Sequence, residues 1–107
     1  MEPVNFVLML KEDADAHRVK SKLEQIASDF SLTARGDVYM VVGTTNQATY
    51  ERVFDAKLKY VQETVKNLNH GPSTRYVWRE ERKGQIPTSL AGEIDELYLD
   101  NGVVLTD

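Results

Sequence analysis

The chain has no cysteine, which removes disulfides, thiolate metal sites and cysteine nucleophiles at once. Histidine is nearly as scarce. His17 and His70 are the only two, neither has a second histidine or an acid at ligand spacing, and no metal site is expected. Serine and threonine are plentiful, but no histidine or lysine stands placed as a base, so no nucleophile, catalytic activity or cofactor is expected. Long apolar runs are missing too: the stretch from Phe6 to Leu10 is cut off by Lys11, far short of a bilayer span. Met1-Glu2-Pro3-Val4 carries an acid where a signal peptide has positive charge, so the expected location is cytoplasmic by default, with no membrane partner. An excess of basic residues is also absent. Thirteen Lys and Arg against 17 Asp and Glu leave a net charge of −4, which argues against a phosphate backbone as partner.

What is present is 41% hydrophobic content in 107 residues, enough for one domain, 1–107, with one core. Its organising stretch is Val38 to Leu58. The β-branched and aromatic run Val38 to Val42 predicts a strand, ended by Gly43. Thr44 and Gln47 then have capping-box spacing at the start of a helix carrying Tyr50, Val53, Phe54 and Leu58.

Upstream, Val4 to Leu10 has the length and apolar continuity of a central strand. Asp13 is the expected cap of a first helix, whose buried stripe is Val19, Leu23, Ile26, Ala27 and Phe30. Ser31 to Arg35 is a short strand candidate, with Gly36-Asp37 as the turn that follows. Downstream of Phe54 two patterns compete. Val53, Leu58, Val61, Val65 and Leu68 continue a helical spacing, while Lys57 to Tyr60 alternates as a strand does. Asn67 to Ser73 reads as a loop, and Thr74 to Glu81 as a strand with Tyr76, Trp78 and Glu80 on one face. Leu90, Ile94, Leu97 and Tyr98 have the spacing of a last short helix, capped by Thr88 or Ser89 and stopped by Asp100-Asn101-Gly102. The apolar tail Val103-Val104-Leu105-Thr106-Asp107 then either adds a strand or docks on a partner. The expected class is α+β: a split βαβ arrangement, an antiparallel sheet with two helices on one face, plus a short C-terminal helix and tail.

Val41-Val42-Gly43-Thr44, then Gln47, Tyr50, Glu51, Val53, Phe54 and Lys57-Leu58, followed by Ile86-Pro87-Thr88-Ser89-Leu90-Ala91-Gly92, resembles the propeptide of sedolisin- and kumamolisin-type serine-carboxyl peptidases. The resemblance covers roughly the second half of the chain. It implies a ferredoxin-like fold, shared with subtilisin propeptides and their free-standing inhibitor relatives. It also implies that the helix stops near Asp55 and that Lys57 to Val65 pairs with Thr74 to Glu81. Such domains bind a peptidase surface, assist its folding and occupy the cleft with their C-terminal segment. The family's catalytic domain is not in these 107 residues, so the expected role is a non-catalytic inhibitor or folding assistant.

The candidate partner-binding residues are therefore Asp100, Asn101, Val103, Val104, Leu105, Thr106 and Asp107, together with Tyr76 and Trp78, which form either core or a binding anchor. The expected partner is a protein, a serine peptidase by the resemblance. The alternative is an assembly module that pairs with itself or a larger complex through strand edges. Arg35-Gly36-Asp37-Val38-Tyr39-Met40-Val41-Val42 is similar to an RNA-recognition strand motif, but Asp37 stands where an aromatic would stack and the charge is wrong.

Overall fold

A computed structural model describes residues 2–67 and 71–101. Among these the chain runs β1 (Val4–Leu10), α1 (Ala16–Ile26), β2 (Ser31–Arg35), a single 3₁₀ turn at Gly36–Val38, β3 (Met40–Thr45), α2 (Gln47–Val53), β4 (Lys57–Asn67), β5 (Gly71–Arg82), a second 3₁₀ turn at Thr88–Leu90, and β6 (Ile94–Leu99). Four strands make one sheet in the order β2-β3-β1-β6, every pair antiparallel; β4 and β5 form a separate two-stranded hairpin. This is the expected α+β class with both helices on one face of the sheet.

Alternation in β1 assigns its two faces. Val4, Phe6, Leu8 and Leu10 are buried under the helices, and Asn5, Val7 and Met9 point the other way. α1 adds Ala16, Val19 and Leu23 to the covered face, and α2 adds Tyr50, followed by Phe54. The Phe6 ring meets Phe30, Tyr50 and Phe54 edge-on, with centroids 5.7, 5.7 and 5.4 Å away. Gly43 lies opposite Phe6 in β3 and does not end the strand. A Cβ there would sit 2.5 Å from the Phe6 ring, so the close approach demands glycine.

Several local expectations are corrected. The cap of α1 is Asp15 rather than Asp13: its Oδ1 accepts from the amides of His17 at 2.9 Å and Arg18 at 3.3 Å. Ile26 is exposed, while Ala27 and Phe30 are buried beyond the helix end, so the stripe ends at Leu23. Thr44 belongs to β3, where its hydroxyl donates to Asn5 Oδ1. The cap of α2 is Asn46, accepting from the Thr49 amide at 2.8 Å. Gln47 turns forward instead, donating to the Leu58 carbonyl at 3.2 Å.

The competition after Phe54 resolves as a hairpin. Phe54 closes α2 and Asp55 adopts a left-handed backbone (φ 49°), a conformation Asp tolerates better than most residues. Arg82 donates to the Asp55 carbonyl at 3.0 Å, and the Glu51 carboxylate accepts the Leu58 amide at 2.7 Å, fixing the start of β4. Of the loop expected over Asn67 to Ser73, Asn67 belongs to β4 and Gly71 to Ser73 to β5, and positions 68–70 lie outside the described residues.

The expected C-terminal helix is a strand. Ile94 to Leu99 pairs with β1, and only Thr88–Leu90 makes a helical turn. The helical spacing has a specific cause. The register shifts between Met9 and Leu10, so Asp95 is an extra residue, and Ile94 and Leu97 reach the core side although three positions apart.

Candidate interaction surface

Two surfaces are left open around this core. One is the uncovered face of the four-stranded sheet, where pairing aligns side chains in rows. Thr33, Val42, Val7 and Tyr98 form one row; Arg35, Met40, Met9 and Glu96 form the next. Val7, Met9, Met40 and Val42 are half-buried, and Tyr98 is 46% exposed. This leaves an apolar stripe across two central strands, with Arg35 at the β2 edge and Glu96 at the β6 edge. The Tyr98 hydroxyl donates to the Glu96 carboxylate, which together with burial holds the phenol above its ordinary range.

The other is a groove of about 820 Å³ between β5 and β6. Among the described residues β5 pairs only with β4 and β6 only with β1, so each presents its other edge to the groove. The mouth is bridged by Asn101, whose side chain accepts from the Trp78 amide at 3.0 Å and donates to the Trp78 carbonyl at 2.9 Å. That carboxamide stands where a neighbouring strand's backbone would, and it ties the end of the four-stranded sheet to the hairpin. The Asp100 amide, one residue earlier, donates to the Asn5 carbonyl at 2.8 Å.

The two expected aromatic anchors separate. Tyr76 is 57% exposed and stacks on Tyr60 at 5.4 Å, whereas Trp78 is 6% exposed and donates its indole N–H to the Pro3 carbonyl at 2.9 Å. Trp78 is thus core, and Tyr76 belongs to a surface pair with Tyr60. Asp100 and Asn101 lie at the edge of the sheet. Val103, Val104, Leu105, Thr106 and Asp107 fall outside the described residues, as does His70. His17 is exposed on α1, and no group of three or more potential metal ligands occurs among the described residues. Asp37 sits in the exposed 3₁₀ turn beside Arg35 at 3.8 Å, off the sheet face an RNA base would need. Among the described residues no helix is long and apolar enough to cross a membrane.

The open-face stripe was not singled out from sequence. Its signal was nonetheless there: β1 is apolar at both alternate positions, as is Met40 to Val42, and a strand covered on one face only needs half of them. The chain matches no protein-family model, no curated protein and no solved structure.

Proposed function

We propose that the chain is a non-catalytic, ferredoxin-like protein-binding domain that docks through the open face of its four-stranded sheet. In this reading it is an inhibitor or folding assistant of a subtilisin- or sedolisin-like peptidase. The segment from Asp100 to Asp107 enters the cleft, where extended backbone pairing gives affinity. The observation that carries the reading is the half-buried stripe of Val7, Met9, Met40 and Val42, an apolar face with no covering layer among the described residues, beside which lies Asn101. The strand order β2-β3-β1-β6 with two helices on one face supports the ferredoxin-like framework, with β4 and β5 inserted before its last strand.

The test compares the intact chain with one ending at Asn101, which keeps the carboxamide that holds Trp78. Both are titrated against a subtilisin-like and a sedolisin-like peptidase. Inhibition by the intact chain alone is expected. Inhibition by neither, or by both equally, rules the mechanism out. A second reading, assembly through strand edges, is favoured by the edges of β5 and β6, which pair with no other strand across the groove among the described residues. It expects self-association through backbone pairing that does not depend on the sheet-face residues Val7, Met9, Met40 and Val42.

A further inference from the structure

We propose that the open sheet face pairs with the same face of a second copy of this chain, in a two-fold dimer whose axis runs along the strands. The inference rests on the reading of that face as a protein-docking surface and names a second occupant for it.

The argument comes from the rows. A two-fold axis lying between two stacked sheets and parallel to their strands keeps each residue's position along the strand and reverses the strand order. The order β2-β3-β1-β6 then lies over β6-β1-β3-β2 of the second copy. In the row Arg35, Met40, Met9, Glu96, each Arg35 comes over Glu96 of the second copy, and the methionines of the central strands meet one another. In the next row Val42 and Val7 meet Val7 and Val42, and Tyr98 lies over Thr33.

Across these two rows the face is self-complementary in both charge and polarity. In these two rows apolar residues meet at the centre and two opposite-charge pairs close the rim, with Asp37 3.8 Å from each Arg35, while in the third row Asn5 and Thr44 of the two copies meet as polar neighbours. Stacked sheets normally sit about 30° from aligned, an offset that the long Arg and Glu side chains span at the edges. Methionine at two of the four central positions lets the contact adapt. The face is about 19 Å by about 17 Å from strand spacing and rise, smaller than the roughly 800 Å² a standard interface buries on each partner. The expected dimer is therefore weak and concentration-dependent. A peptidase using this face competes with it, so the dimer is a resting form that dilution or the partner opens.

The test is sedimentation velocity from about 1 to about 200 µM, a range that reads dissociation constants of weak complexes. It compares the wild type with Arg35→Glu, Glu96→Arg and the double reversal, all at exposed positions where folding is checked by circular dichroism. The wild type should shift reversibly from monomer to dimer. Each single reversal sets two like-charge pairs at the rim and should weaken the dimer about tenfold. The double reversal restores both pairs and should return to within about threefold of wild type. A wild type that stays monomeric overturns the proposal. So does a dimer that ignores the single reversals, which is what edge-to-edge pairing gives, or a double reversal no better than the singles. Peptidase inhibition measured on the same samples separates the two readings. A monomer that inhibits removes self-pairing alone, and a charge-sensitive dimer that binds no peptidase removes the peptidase role alone.

Discussion

The four-stranded sheet and the β4–β5 hairpin use their aromatic side chains in opposite ways. In the sheet, Phe6 sits among Phe30, Tyr50 and Phe54, all buried, so its rings close the core. In the hairpin, Tyr60, Tyr76 and Trp78 form a ladder of which only Trp78 is buried, and the two tyrosines stack in solvent. The sheet supplies most of the buried core. The hairpin joins it through Leu58, Trp78 and the Asn101 bridge. A chain of this size needs only one core, so an inserted hairpin is free to present surface.

That contrast can be broken in measurable steps. Phe6→Ala should be the most damaging change, costing about 4 kcal/mol by leaving a cavity between three rings; chemical denaturation at neutral pH reads it directly. A loss under about 1 kcal/mol would mean that Phe6 is not the hub of the core. Asn101→Ala strips the Trp78 amide and carbonyl of their partners and should cost about 1.5 kcal/mol. It should also speed hydrogen exchange at the Trp78 amide while leaving β1 protected. If β1 amides accelerate equally, the hairpin and sheet are one cooperative unit and the contrast is too sharp.

Tyr50 tests the core from the opposite direction. Its hydroxyl is buried with no hydrogen-bond partner among the described residues, and burial, aided by the Glu80 carboxylate, raises its pKa far above the ordinary value. A folded-state pKa above the unfolded one means the associated stability is whole below about pH 10 and falls as pH rises beyond it. Tyr50→Phe should gain about 1 kcal/mol at neutral pH and flatten the alkaline loss. Melting curves at neutral pH and above about pH 10 check both, and an unchanged alkaline limb would assign it to another group. The smallest effect is expected in the hairpin. Tyr76→Ser removes one member of an exposed stack and should change stability by less than about 0.5 kcal/mol. A larger loss would show that the Tyr60 stack holds the hairpin together.

The parts legible in the sequence are those where one local pattern had no rival. β1, α1, β2 and the core of β3 followed from apolar runs and a helical stripe, and β5 from alternation. Misreadings came where two patterns coincided. Val53, Leu58, Val61 and Val65 keep helical spacing across a chain reversal that Asp55 makes, and Leu90, Ile94 and Leu97 keep it across a β-bulge. Of the candidate site, Tyr76 is exposed as a binding anchor needs, while Trp78 is not. Nothing along the chain separates two aromatics two positions apart, since their burial depends on where Pro3 lies.

By itself the sequence determined the class of fold: α+β without thiols, with a covered sheet face and two amphipathic helices, because periodicity and turn chemistry act over a few residues. The tertiary structure alone decided that the last apolar segment is an edge strand against β1, that Asn101 bridges sheet and hairpin, and that Arg35 and Glu96 end one row across the open face. Those facts join residues more than 90 positions apart, as between Phe6 and Leu99, and only strand pairing and packing bring such residues together.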